Sequence, residues 1–282
     1  AGIYPVGMKI ASDYYHRGLG KSLGYLVGAL VLGTAFPHLL KNFGQSLPWR
    51  QVIYTTSALA LSGGLLMFVL VPDGPHRKKS EQLDFSAFFK VFAKPEFRSA
   101  AFGYFGHMWE LYAFWAFVPV ILSAYGSYNS DADLNIPLLS FLIIGIGGLA
   151  CVLGGYLSLK WGPKKIAFLA LLSSCLCCLV SPILFFTQSE TLFIVFLLFW
   201  GMAVITDSPL FSTLVAKNAP ATNRGTALTI VNCIGFAITI FSIQLLTLLQ
   251  GKIEGYYLYL PLAAGPVLGL IALRHGKTKA GS

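Results

Sequence analysis

In this chain of 282 residues, 56% are hydrophobic and only 11% charged, far below the ~25% charged content of an ordinary soluble domain, which excludes a water-soluble globular protein. The formal charge of +9 sits in short basic clusters between apolar runs rather than on one continuous basic face, so nucleic acid is not expected as a partner and lipid headgroups and topology account for it. The five cysteines (Cys151, Cys175, Cys177, Cys178 and Cys233) all lie inside apolar runs; neither a disulfide framework nor a metal-ligand spacing follows, and they read as small packing residues.

Apolar runs of roughly 17–25 residues mark bilayer crossings. They predict a partial span at 1–15 and full spans near 22–40, 51–71, 99–123, 135–158, 165–186, 191–216, 226–249 and 256–273. The expected fold is therefore an all-α polytopic membrane bundle of about nine transmembrane helices, the first incomplete. Ala1 is not a methionine and Gly2–Tyr15 reads as the tail of a helix met partway, not as a signal peptide.

Basic residues test this layout, because they gather in cytoplasmic loops. On one side fall Arg17, Lys21, Arg77, Lys78, Lys79, Lys90, Lys94, Arg98, Lys160, Lys164, Lys165, Lys217, Arg224, Arg274, Lys277 and Lys279. The other side has only Lys41, Arg50 and Lys252, with Lys9 inside the first span. That bias predicts a cytoplasmic C-terminus in a cell (inner or plasma) membrane. Residues 72–98 form the longest polar connection, in which Phe85, Phe88, Phe89 and Phe92 recur at helical spacing. They make an apolar stripe suited to a helix on the membrane surface, acting as a linker between membrane halves, an anchor, or both.

The span 99–123 is unusual because His107 and Glu110 lie in its middle. A carboxylate at mid-membrane costs roughly 2.5–3.5 kcal/mol on insertion scales, so it faces a protein interior or a hydrated cavity. His107, Glu110 and Phe114 share a helix face. Glu110 lies about 18 Å along its helix from Arg98, and Asp207 about 15 Å from Lys217, which predicts similar depths for the two acids. Pro209, following Asp207 and Ser208, leaves the carbonyl of Ile205 without its usual amide partner. These residues read as a site for proton coupling or substrate, with Lys9 as a further candidate that either snorkels to the interface or meets an anion. Each also has a structural alternative: Glu110 as an acid paired with His107 or an amide, Asp207 as a brace for a neighbouring helix, and His107 as a helix bridge. Trp109, Tyr112, Phe114, Trp115 and Asn232 are cavity-lining candidates, with Asn232 and Gln244 also read as interhelical hydrogen-bond partners.

Soluble-enzyme motifs fail on context. Gly20-Lys21-Ser22 lacks the preceding strand and glycine of a phosphate-binding loop and the strand-to-helix turn of a nucleophile elbow. Gly147, Cys151 and Gly155 instead make a small-residue packing face. No H-E-x-x-H pair is present, and neither enzymatic activity, a cofactor nor a metal is expected.

The segment RGLGKSLG (Arg17–Gly24) resembles the Arg-Gly turn between the fourth and fifth helices of the major facilitator superfamily of secondary transporters. Gly24, Gly28, Gly33 and Pro37 resemble the glycine-and-proline pattern of that family's fifth helix, at irregular spacing. GGYLSLKWGPKK is similar to its Gly-x-x-x-Asp-Arg-x-Gly-Arg-Arg loop: Gly155, Lys160, Gly162 and Lys164 fit, whereas Leu159 replaces the aspartate and Pro163 an arginine. WELYAFWAFVP (Trp109–Pro119) and the stretch Thr206–Ala237 look like prokaryotic members. The resemblance covers the whole chain as helices four to twelve of twelve, implying truncation before the fourth helix. It divides the chain into a remnant N-terminal half at 1–71, a cytoplasmic linker at 72–98, a six-helix half at 99–273 and a tail at 274–282. It implies a secondary transporter of a small solute working by alternating access, monomeric when complete and bathed by membrane lipids, and the mid-membrane carboxylate of Glu110, able to load and release a proton as its hydration changes, makes proton coupling the expected mechanism. It also puts the spans at 1–15, 99–123 and 191–216 around the central cavity. A non-transporting receptor or structural subunit on the same scaffold is the alternative.

Overall fold

A computed structural model describes residues 3–15, 18–43, 48–77, 91–130, 132–220 and 223–275. Its elements are α1 (Ile3–Tyr14), α2 (Leu19–Phe43), α3 (Trp49–Leu70), α4 (Pro95–Tyr128), α5 (Ile136–Trp161), α6 (Pro163–Leu184), α7 (Glu190–Thr206), α8 (Ser208–Asn218), α9 (Arg224–Leu249), two short 3-10 turns (Gly255–Tyr257 and Leu260–Ala263) and α10 (Ala264–His275). Among the described residues, eight stretches are long and apolar enough to cross a membrane, with α7 and α8 together making one and the 3-10 turns with α10 making the last. They match the eight full spans predicted, and α1, with 12 residues, falls within the predicted partial one. The fold is the expected all-α membrane bundle.

Local chemistry sets the helix ends. Pro95 and Pro163 begin α4 and α6, where their missing N–H is no loss. Asn135 caps α5 by accepting from the amide of Leu138 at 3.2 Å, and Ser189 caps α7 by accepting from that of Leu192 at 3.3 Å. Gly162 joins α5 to α6 with φ +81°, a left-handed conformation that side chains other than glycine's resist, which accounts for the glycine at this place in the loop motif.

Two differences from the expected spans matter. The span 191–216 is broken at Asp207 into α7 and α8. The last crossing opens with 3-10 turns before it becomes α-helical. Of the phenylalanine stripe, only Phe92 lies within the described residues, its ring 5.1 Å from that of Phe97; Phe85, Phe88 and Phe89 lie outside them.

Small residues govern the packing. α2 lies along α5 more extensively than any other pair of helices meets. A Cβ on Gly24 would come within 2.6 Å of the carbonyl oxygen of Cys151, and one on Gly28 within 2.8 Å of that of Gly148. Gly33, by contrast, has nothing nearby, so the motif's glycines are not equivalent. The predicted single face of Gly147, Cys151 and Gly155 is in fact two faces. Gly148 and Gly155 meet α2, whereas Gly147 and Gly154 meet Ile205 and Thr206 of α7, because at 3.6 residues per turn a stripe this broad touches both neighbours.

The buried apolar residues form two cores stacked along the helices. One gathers Leu111–Tyr125 of α4 with Ile143, Trp200 and Ile205. The other gathers Phe97–Met108 of α4 with Ile166, Leu210 and Val231. The seam between them crosses α4 between Met108 and Leu111 and the α7–α8 span between Ile205 and Leu210. Glu110 and Asp207 sit on that seam, with His107 beside it.

Candidate functional site

α4 presents Glu110 and His107 to different partners. Glu110 is fully buried and is enclosed by three donors from α6 and α7. The indole Nε1–H of Trp200 donates to Oε1 at 2.8 Å, the Cys178 thiol donates to Oε1 at 3.2 Å, and the Ser174 hydroxyl donates to Oε2 at 2.8 Å. Phe114, one turn along α4, packs on the Trp200 ring at 4.6 Å and holds it in place. Such a shell suits an ionised carboxylate, which only accepts.

Ser174 has a second acceptor, the carbonyl oxygen of Leu171 at 3.1 Å. A hydroxyl carries one proton and two lone pairs. It can therefore donate to an ionised Glu110, or accept from a protonated Glu110 while turning its own proton to Leu171. The shell is satisfied in both protonation states of the acid.

His107 does not bond Glu110. Its Nδ1 lies 2.8 Å from Oδ1 of Asp207, with both side chains buried, and so it joins α4 to the α7–α8 break. The break follows from Pro209 as anticipated. What the residues near it did not reveal is how the freed carbonyl is met: the Cys151 thiol of α5 donates to the Ile205 oxygen at 3.5 Å. Cys151 and Cys178 thus do more than pack. The second oxygen of Asp207, Nε2 of His107, the Ser212 hydroxyl and the Tyr4 hydroxyl are all buried without a hydrogen-bond partner among the described residues. Each such group costs about 1–3 kcal/mol when left unmet. Two of them, on Asp207 and His107, lie together at the α7–α8 break.

The other predicted residues fall in separate places. Lys9 is paired with Asp13, Nζ to Oδ2 at 2.6 Å, one turn along α1. Asn232 bridges helices, accepting from the Tyr104 hydroxyl at 2.8 Å while its amide donates to the Leu228 carbonyl at 2.7 Å; Gln244 is exposed. Tyr112 lies between Trp115 and Phe236, with ring centroids 5.3 and 5.4 Å away. The indole of Trp109 donates to the Pro261 carbonyl at 3.2 Å, on the side of α4 facing α10. In the loop motif, Gly155 presses on Gly20, and Lys160 lies over the Trp161 ring with Nζ 5.3 Å from its centroid. Gly162 makes the left-handed turn and Lys164 follows it at the start of α6.

Tyr4, Ser174, Trp200 and Ser212 escaped the sequence reading. The only signal for them is helical phase. Ser174 and Cys178 are four apart and share a face of α6, as Ser208 and Ser212 do on α8; that spacing could have suggested two small polar ridges without naming what they serve.

The profile of the family described as Major Facilitator Superfamily matches residues 1–243. A comparison with curated proteins gives no match. With nearly the whole helical bundle inside the matched region and an acid-bearing seam at its middle, the chain belongs to the Major Facilitator Superfamily and is a multi-pass integral membrane transporter.

Proposed function

We propose that this transporter moves a small solute by alternating access, coupled to protons, with Glu110 carrying the proton and the His107–Asp207 pair meeting the solute or a second proton. The reading rests on one observation above all: Ser174 stands within hydrogen-bonding distance of both Glu110 and the Leu171 carbonyl. An acid buried in membrane must gain and lose a proton without stranding its neighbours, since unmet partners in a dry interior cost more than the exchange returns. The Ser174 rotor removes that obstacle. On this reading the protonated form of Glu110 belongs to one facing state and the ionised form to the other, as hydration of the seam changes sides.

His107 and Asp207 supply unmet donors and acceptors where a solute's polar groups can dock. The basic residues of alternate loops support a cytoplasmic C-terminus. Segments 1–71 and 99–273 act as parts of two rocking halves joined by 72–98, and the protein works as a monomer.

Proteoliposomes loaded with a pH-sensitive dye test this. Sugars, amino acids, organic acids and cationic amphiphiles are added in turn, and solute-evoked proton movement is followed beside solute counterflow. At least one class is expected to evoke both. Glu110→Gln should abolish the proton signal while sparing counterflow, Ser174→Thr should keep it, and Ser174→Ala should weaken it. Proton movement unaltered in Glu110→Gln would remove Glu110 from the coupling role, and the absence of counterflow for every class would point to a receptor.

A further inference from the structure

On the side of α4 away from Glu110, a cavity of about 570 Å³ runs between α4, α9 and α10, lined almost wholly by apolar groups, among them Phe102, Phe105, Trp109, Phe241, Leu268 and Ile271. It exists because α4 and α10 cross at glycines. A Cβ on Gly106 would collide with the carbonyl of Gly265, and one on Gly269 would come within 3.2 Å of that of Gly103. The backbones touch there and leave a floor without side chains. Phe102, Phe241, Leu268 and Ile271 are all at least half exposed, so the groove opens outward from the bundle.

One end of the groove is basic. Arg98, Phe102, Phe105 and Trp109 are spaced i, i+4, i+7 and i+11, which places all four on one face of α4. Arg98 is exposed and has no acidic partner among the described residues. Glu96, two residues away, lies toward the opposite side of the helix. At the same end of α10, Arg274 has its guanidinium carbon 5.7 Å from the Phe168 ring centroid, and the Ser99 hydroxyl donates to the Ala272 carbonyl at 2.9 Å, tying the two helix ends together. From Arg98 to Trp109 is about 16 Å of helix. That is close to half of a ~30 Å hydrocarbon core, the depth of one leaflet.

We infer that the α4–α9–α10 groove binds one anionic phospholipid, with an acyl chain along Phe102, Phe105 and Trp109 and its phosphate at Arg98. The lining supplies the apolar slot, the single-leaflet length matches one chain, and the Arg98 guanidinium at one end sets the charge of the headgroup. Arginine suits this place because its planar fork binds phosphate oxygens in pairs.

Trp109 is a built-in reporter. The protein is reconstituted in nanodiscs of phosphatidylcholine containing increasing fractions of phosphatidylglycerol brominated on its acyl chains, and compared with brominated phosphatidylcholine. The quenching lost on Trp109→Phe is assigned to the groove. Half-maximal quenching is expected at about a fivefold lower mole fraction for the anionic lipid per arginine engaged, the gain from one basic residue near an anionic surface. Arg98→Gln should remove about that factor, and Lys217→Gln, at the same end of the bundle on α8, should remove none. Equal quenching by the two lipids would overturn the inference in favour of an uncharged occupant. A loss in Lys217→Gln matching that in Arg98→Gln would overturn it in favour of general surface attraction, and no Trp109-dependent quenching by either lipid would mean that the groove does not take a chain.

Discussion

Trp200 and Trp115 are both buried, yet their indole N–H groups stand in opposite situations. That of Trp200 donates to Glu110 at 2.8 Å, whereas that of Trp115 has no partner among the described residues. Replacing either by phenylalanine keeps an aromatic ring and removes the donor. Trp200→Phe should therefore lower stability by about 1.5–3 kcal/mol, the range for hydrogen bonds to charged groups, while Trp115→Phe should be close to neutral or stabilising, because it deletes an unmet group. Chemical denaturation in detergent, followed by circular dichroism, separates the two. Glu110 itself was legible as an oddity in the sequence, since an acid amid apolar residues stands out. Its partners were not, because Ser174, Cys178 and Trp200 lie 64, 68 and 90 positions away and are unremarkable in apolar runs. Chain order carries no record of helix rotation, which decides that His107 turns to Asp207 and Glu110 to Trp200.

At the scale of elements, the glycines divide by what stands against them. Gly201 of α7 faces the carbonyl of Ile143 on α5 so closely that a methyl group would collide with it, and the obstacle is backbone that cannot swing aside. Gly201→Ala should cost about 1–3 kcal/mol through overpacking. Gly33 of α2 has nothing within 4 Å. There, Gly33→Ala should be neutral or stabilise by up to about 1 kcal/mol, the helix preference of alanine over glycine. Thermal melts of the two variants side by side check both expectations. The span positions themselves were readable from apolar run length, since α2 and α4 contain the predicted 22–40 and 99–123 with added turns at their ends, and α5 starts one residue after the predicted 135–158 and runs three past it. The extra turns of α4, to Tyr128, were not readable, because polar-flanked helix beyond the hydrocarbon core carries no hydropathy signal.

For the whole molecule, topology is the statement most open to direct measurement. Four of the five cysteines are buried and Cys233 is exposed, so a Cys233→Ser background gives a quiet starting point for labelling. In intact cells, Lys252→Cys should react with a membrane-impermeant maleimide, and Lys217→Cys should react only after the cells are opened. The reverse pattern would invert the proposed orientation. The spans were readable at this level, because run lengths are summed over long stretches and tolerate local error. Single-residue geometry at the seam has no such averaging to protect it.

The interruption at Asp207 has one more consequence. α8 has 11 residues, below the ~12–15 at which an isolated helix holds together in water, and its hydrogen-bond ladder is not continued from α7. Its order is lent by the α2, α4 and α6 surfaces around it. α7, longer and seated against α5 and α6, has no such dependence. The stretch on the Pro209 side of Asp207 therefore depends on its neighbours for its helical form more than the stretch on the other side does.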